Sequence, residues 1–244
     1  KDKHNFSMLL GQEIYHSQNK KNFQKNRYFP RAFEAGQAWD NMGFGTPQES
    51  TSSLSTPDRT ASFFGQASYN YNHKYLLSVT MRADGSTKFA PGNQWGYFPS
   101  VSGAWVLSEE KFMEDIKWID QLKLRAAIGL AGNNRISDDM WRYLYTVNST
   151  GGPGFGEATQ FGEQWYGNQG GTTFANKNIK WETTLTRNLA ADITLFNGRL
   201  TVTPEIYWNT TKDLLYKSDI PSATGYVSQM QNIGQVTNKG VELT

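Results

Sequence analysis

The chain is predicted to be all-β: antiparallel, up-and-down strands forming part of a transmembrane β-barrel, with long extracellular loops, short periplasmic turns and one short helical connector. Three observations carry this expectation. Apolar residues recur with a period of two over stretches longer than the roughly 5–6 residues usual for a strand in a soluble protein. The connections between these stretches alternate between long and short. Aromatic residues make up 14% of the 244 residues (Phe 14, Trp 8, Tyr 12), while mean hydropathy is only -0.63, so apolar side chains are dispersed rather than gathered into core-forming runs.

The first stretch puts Phe6, Met8, Leu10 and Ile14 on one face and Asn5, Ser7, Gly11 and Glu13 on the other. From Arg59 to Tyr71 the apolar face is Ala61, Phe63, Ala67, Tyr69 and Tyr71, and it continues in Tyr75, Leu77, Val79 and Met81 against Ser78, Thr80, Arg82 and Asp84. A weaker strand spans about 97–107. Leu122, Leu124, Ala126, Ile128 and Leu130 oppose Lys123 and Arg125, and Leu189, Ala191, Ile193 and Leu195 oppose Asn188 and Asp192. Leu200, Val202, Ile206 and Trp208 oppose Thr201, Glu205 and Asn209, and an eighth strand opens near Ile233. Pro204 has no amide to give a ladder, which predicts an edge position or a bulge there.

Residues 16–58, 133–180 and 213–231 read as long loops, 72–74 as a tight turn, 86–95 as a medium loop and 108–121 as the connector with helical character. Asn197-Gly198 reads as a two-residue type I′ hairpin turn, since both residues accept positive φ. Alternate connections therefore place the long loops together at one end, as in outer-membrane barrels, whose strands are apolar outward and polar inward. Hydrocarbon offers no hydrogen-bond partner, so a closed sheet must satisfy its own backbone. Tyr15, Tyr71, Tyr75, Trp95, Tyr97, Trp181, Phe196 and Trp208 lie near strand ends, where interfacial girdles are expected. A soluble antiparallel sandwich shares the same alternation and stays open as an alternative.

Composition narrows the function classes. A formal charge of +2 argues against a dedicated nucleic-acid binder, which shows a basic excess, and the aromatic content argues against disorder. The longest small-apolar run, Ala126 to Gly132, is too short for a spanning helix. With no cysteine, disulfides, thiolate metal sites and cysteine nucleophiles are excluded. His4, His16 and His73 lack metal-ligand spacing, the glycine-rich run at Gly152–Gly156 lacks the Lys-Ser/Thr of a phosphate loop, and Asp138-Asp139 lacks the comb of oxygens of a calcium loop. No metal or cofactor is expected. Glu157, Glu163 and Glu182 show no spacing that would establish a catalytic carboxylate pair, and the chain is not expected to be an enzyme.

Two groups of residues are candidates for contact with ligand. Arg82, Asp84, Lys123, Arg125 and Glu205 lie on polar strand faces and are expected to face the lumen, either touching a passing substrate or a plug, or forming an ion-pair network along the wall. Trp39, Trp141, Trp165 and Tyr166 lie in the two longest connections. Their rings suit stacking on sugars or apolar contact, or pinning the loops into folded caps.

The stretch from Tyr75 onward, YLLSVTMRADGSTKFAPGNQWGYFPS, resembles the barrel of SusC/RagA-type TonB-dependent transporters of Bacteroidetes outer membranes. The resemblance continues in VSGAWVLSEEKFM from Val101, LKLRAAIGLAGN from Leu122, LFNGRLTVTPEIYWNTTKDLLY from Leu195 and NIGQVTNKGVEL from Asn232, with HNFSMLLGQE at His4 similar to a strand of the same family. It implies that residues 1–244 are a partial TonB-dependent receptor barrel domain of about eight strands, located in the bacterial outer membrane. It further implies import of glycans or peptides with a SusD-like surface lipoprotein, and energy from the TonB complex through regions outside this chain. No plug and no TonB box are present in the sequence, and Lys239 to Thr244 read as a strand without a terminal aromatic, so a middle or late segment of a longer protein is expected. Beside this stand a small complete outer-membrane barrel with a structural or adhesive role, and a soluble secreted carbohydrate-binding sandwich. The readings part on one point: in the barrel Met8, Leu77, Ile128 and Val202 face outward, whereas in the sandwich they pack together in a dry interior.

Overall fold

The computed structural model describes residues 3–143, 145–148, 158–161, 164–168 and 173–244, with side chains described for 3–143 and 173–244. In chain order the elements are β1 (His4–Ser17), β2 (Lys20–Arg27), the helix α1 (Ala35–Asp40), β3 (Thr46–Leu54), β4 (Asp58–Tyr71), β5 (Tyr75–Ser86), β6 (Trp95–Val106) and β7 (Ile119–Asn133). There follow β8 (Tyr145–Asn148), β9 (Ala158–Phe161), β10 (Gln164–Asn168), β11 (Thr173–Phe174), β12 (Glu182–Leu195), β13 (Leu200–Val202), β14 (Pro204–Lys212), β15 (Leu215–Asp219), β16 (Ser228–Asn232) and β17 (Gln235–Leu243). Two units separate by their contacts, residues 1–15 with 59–244, and residues 16–58.

The larger unit is built on one sheet in the order β1-β4-β5-β6-β7-β12-β14-β17, with β13 also on β12. These are the eight strands that the period-two pattern marks out, β13 and β14 together being one of them. Each pairing along the path from β4 to β17 is antiparallel. The register keeps the faces coherent: Ala67 faces Val79, Val79 faces Val101, and Val101 faces Ile128. On the apolar face Met8, Leu77 and Ile128 are 62%, 47% and 50% exposed, and Val202 is half-buried. They do not pack into a dry interior, which removes the soluble-sandwich reading.

One end of this sheet is closed by short connections. At the turn after β4, Asn72 and His73 adopt positive φ, and the Asn70 side chain accepts the His73 amide at 2.9 Å. The turn after β12 differs from the expected two-residue form. Leu195 pairs with Leu200, so residues 196–199 form the turn, and Phe196 joins Asn197 and Gly198 at positive φ. Phe196 is held there because its amide donates to the Trp118 carbonyl at 3.0 Å and its ring stacks on Trp118 with centroids 6.3 Å apart. Pro204 also departs from expectation. It occupies an interior strand, not an edge, and the pairing with β12 carries the same register on both sides of it. The ladder simply lapses between β13 and β14, while on the other flank Thr203 exchanges two backbone bonds with Thr244. The missing amide is therefore turned toward β12, where no bond is asked of it.

The connector after β6 consists of two short 3-10 turns, Leu107–Glu109 and Lys111–Met113, and ties this end together through Glu110. Its carboxylate accepts from the Tyr75 hydroxyl at 2.7 Å, the Trp105 indole at 3.2 Å and Lys74 Nζ at 3.2 Å. These donors, the Tyr75 hydroxyl first, hold the Glu110 carboxyl below its ordinary value. A depressed folded-state value means the clamp is whole above the ordinary carboxyl value of 4.5 and loosens as pH falls through the lowered one. Limited proteolysis of the connector should become faster on acidification in the native protein. In Glu110→Gln, cutting should be faster already at neutral pH and no longer depend on acid.

The long connections are not bare loops. Within the larger unit β8, β10 and β9 form one three-stranded sheet, and β15, β16 and β11 another. The smaller unit, expected as a polar loop, is an antiparallel β2–β3 hairpin with a register shift at Lys25/Asn26. Between the two strands, α1 starts on a capping box of Glu34 and Gln37. Its strands are almost wholly polar, so they show no apolar period by which to be recognised.

Candidate functional site

The face opposite the apolar one carries most of the charges on the strands of the large sheet. Arg82 on β5 holds both carboxylate oxygens of Asp84 through Nε at 2.8 Å, donates to Ser62 Oγ at 3.1 Å and lies 3.6 Å from Glu13 of β1. Residues two apart on a strand share a face, which is why the Arg-x-Asp spacing closes on itself. The Arg82 guanidinium also lies 5.6 Å from the centre of the Phe64 ring. That ring covers Gly11, where a Cβ would collide with it.

Farther along, Lys123 and Asp192 occupy facing register positions on β7 and β12. Arg125 grips Asp192 with two bonds of 2.9 Å, and Lys123 lies 3.9 Å away. Glu205 accepts from the Asn188 amide at 3.0 Å. All five charged candidates thus lie on one face, each engaged with a neighbour. Their partners Glu13, Ser62, Asn188 and Asp192 were not singled out as site residues, although they carry the same period-two signal. Two open grooves mark this face. One, of about 450 Å³, runs past Ser7, Ser68, Ser78, Ser102, Lys123 and Arg125. The other, of about 320 Å³, lies between Glu13, Ser62, Arg82 and Asp84 toward the long-loop end.

At the long-loop end, connections from three places in the chain share a core. Phe89 and Ile179 are fully buried, and Phe98, Ile136 and Trp181 nearly so, with Met140, Trp141, Leu215 and Met230 packed around them. Trp181, expected in an interfacial girdle, is therefore corrected to a core residue. It is wedged between Phe89 and Phe98 with centroids 5.2 and 5.5 Å away, and its indole donates to the Gln94 carbonyl at 2.9 Å. Polar side chains bolt the same layer. Asn232 bonds the Lys180 amide and carbonyl and the Asp213 carbonyl, and Glu182 accepts from Asn133 and from the Leu215 amide. Glu182 is thereby a loop fastener.

The aromatic candidates separate. Trp141 packs against this core, donates to the Thr87 carbonyl at 3.3 Å and carries the Arg142 guanidinium over its ring at 4.6 Å. Trp39, on α1 of the smaller unit, is 76% exposed. Trp165 and Tyr166 belong to β10, where they pair with Asn148 and Val147 of β8; their side chains, with Glu157 and Glu163, lie outside the described residues. Among the described residues no group of three or more His, Asp or Glu is placed to hold a metal ion.

Comparison with known proteins assigns this architecture. The TonB dependent receptor-like, beta-barrel family matches residues 4–244. The TonB-dependent receptor SusC of Bacteroides thetaiotaomicron is 35% identical over 246 aligned residues, covering 98% of this chain and 23% of SusC. TonB-dependent receptor P26 of Formosa agariphila is 39% identical over 184 residues, 75% of this chain and 18% of that protein. Among solved structures, the RagAB peptide transporter superposes over 100% of this chain and 25% of its own with a TM-score of 0.82 at 23% identity. A ferric enterobactin receptor, PfeA, superposes with a TM-score of 0.55 at 13% identity; both show the fold. The chain spans about a quarter or less of the length of SusC, P26 and the RagAB transporter chain, and 30% of PfeA. With its apolar face outward, the pairs Arg82–Asp84 and Arg125–Asp192 on the other face and the long connections of its larger unit sharing one core, the chain belongs to the TonB dependent receptor-like β-barrel family and forms part of a barrel wall in the bacterial outer membrane.

Proposed function

We propose that the chain is the wall segment of a TonB-dependent importer that admits glycans or peptides, delivered by a SusD-like surface lipoprotein and moved by a plug and the TonB complex through regions outside this chain. The observation that carries this reading is the polar face. Carboxylates and cations are paired along it and interleaved with serines, so the wall presents hydrogen-bonding groups without a field of one sign. Such a surface suits neutral or zwitterionic polar cargo, which would meet donors and acceptors but no charge trap. Arg82, Asp84, Lys123, Arg125 and Glu205 are lumen-lining in this reading, and their pairing favours a structural role in the wall over direct grip on cargo. Trp39, Trp165 and Tyr166 are its loop contacts for ligand, and no covalent chemistry is assigned to the segment.

Deleting the gene for the full-length protein and growing the strain on single oligosaccharides or peptides tests it. Growth should fail on one cargo class and return with the wild-type gene. Undiminished growth on every such source, with uptake of labelled cargo unchanged, would reject the importer reading. In the complemented strain, Arg125→Leu should lower the amount of folded barrel in the membrane more than the uptake per barrel, because it strands Asp192 with Lys123 alone.

A further inference from the structure

The outward face of β5 to β17 is apolar up to its long-loop margin, where it turns polar: Arg187 and Lys239 form the first charged row, and Thr183, Thr210, Lys212, Gln235 and Thr237 lie beyond it on the same face. Arg187 of β12 faces Ile128 of β7, and on its other side its guanidinium lies 5.8 Å from the Trp208 ring of β14. Lys239 of β17 faces Trp208 in turn. Two cations therefore flank one indole on the face that carries Leu189, Ile206 and Val241, which are 50%, 51% and 74% exposed. Arg187 is poorly served by the protein itself: its guanidinium donates to Thr210 Oγ1 at a long 3.4 Å, and its buried Nε has no partner among the described residues.

The row sits at a definite height. At the short-turn end the stacked aromatics Tyr71, Tyr75 and Trp105 on β4–β6 give way to Trp118 and Phe196 beside β7 and β12, lower in register. This is the slant that tilted barrel strands impose. The upper aromatics follow the same slant, from Phe63, Trp95 and Tyr97 on β4 and β6 down to Trp208 on β14. Arg187, Trp208 and Lys239 thus lie at the extracellular interface, where an outward-facing arginine is tolerated, and not at the midplane, where it is costly.

Next to this row, toward the short-turn end, the outward surface is hollowed. Gly103 and Ala126 form the floor of a groove of about 410 Å³ walled by Leu77, Val101, Ile128 and Leu189. Each contributing strand has a neighbour on both sides in the sheet, so further strands of the barrel do not cover it.

We propose that this row and groove bind one phosphorylated, acylated lipid of the outer leaflet. Its phosphate oxygens accept from Arg187 and Lys239, its polar backbone lies on the Trp208 ring, and an acyl chain runs in the groove over Gly103 and Ala126. Charge decides between this occupant and a second copy of the barrel. A two-fold contact would set the same patch against itself and bring cation onto cation, whereas a lipid phosphate neutralises both. The assignment rests on the membrane placement of the sheet and is independent of the cargo.

Full-length transporter in neutral detergent, titrated with monophosphoryl lipid A and followed by native mass spectrometry, tests it. One lipid should be retained. The same lipid without its phosphate, and inorganic phosphate alone, should bind far more weakly. Arg187→Gln and Lys239→Gln should each weaken retention roughly 5-fold and together about 25-fold, with the heat-shifted electrophoretic mobility of a folded barrel unchanged. Gly103→Leu fills the groove without touching charge, since a Cβ there meets only the Leu76 carbonyl oxygen at 3.8 Å; it should also reduce retention. Equal retention by wild type and the double variant, equal binding of the dephosphorylated lipid, or equal binding of inorganic phosphate would overturn the proposal. So would a change from dimer to monomer mass in the double variant without loss of lipid.

Discussion

Replacing Val79 with arginine is expected to destabilise the full-length protein by about 2–4 kcal/mol, the cost of a cation facing lipid near the midplane. The same substitution at Ser78, one residue earlier, should stay within about 0.5 kcal/mol, as at an ordinary hydrated surface. Val79 lies between Ala67 and Val101 in the register and is 43% exposed. In a water-soluble protein that exposure would make it the more tolerant of the two positions. Here its open side meets hydrocarbon, while Ser78 borders the polar groove beside Ser68 and Ser102. Unfolding by denaturant in phosphocholine vesicles measures both. A neutral Val79→Arg, or equal losses at the two positions, would contradict the assignment of faces.

The second large effect concerns the loop core. Trp181→Ala should cost about 3–5 kcal/mol, the usual penalty for emptying a large aromatic site. That loss removes the ring packed on Phe89 and Phe98 together with the bond to Gln94. The damage should be local, because proteins open in cooperative parts. Hydrogen exchange should rise in residues 87–94, 134–142 and 213–232 while β4 to β7 keep their protection. Trp181→Phe, which keeps one ring in the core and loses the indole donor and part of the packing, should cost less, about 1–3 kcal/mol. Unchanged exchange in those segments after Trp181→Ala would mean that the core does not hold them.

The long strands were legible in the sequence because a wall with oil on one side and water on the other forces alternation; β4, β5, β7 and β12 show it over most of their length, with Phe64 and Arg187 among the exceptions. The charged candidates followed for the same reason, each being the polar member of an alternating pair. What went unread has physical causes. In β2 and β3 both faces meet water, so Lys20–Arg27 and Thr46–Leu54 carry no period. The loop core is assembled from single residues such as Phe89, Ile136, Ile179 and Met230 that stand far apart in the chain, and no local window can report such a meeting. Trp181 looked like a girdle residue because it adjoins a strand end; only the partners at Phe89 and Phe98 show that it is enclosed. Pro204 announced a defect in pairing, yet which flank bears it depends on the Thr203–Thr244 exchange, a contact distant in sequence.

The two tightest turns, at 72–74 and 196–199, act as ratchets for the whole wall. Side chains alternate with a period of two, so one residue added to either turn and absorbed by re-pairing would turn the following strand inside out. Inserted at 196–199, it would carry Glu205 into oil and Ile206 into the channel. The opposite rim has no such constraint, since a longer excursion there returns to the same rung. Length variation among relatives should therefore accumulate almost wholly on the cell's outer surface, leaving the inner rim frozen to the residue.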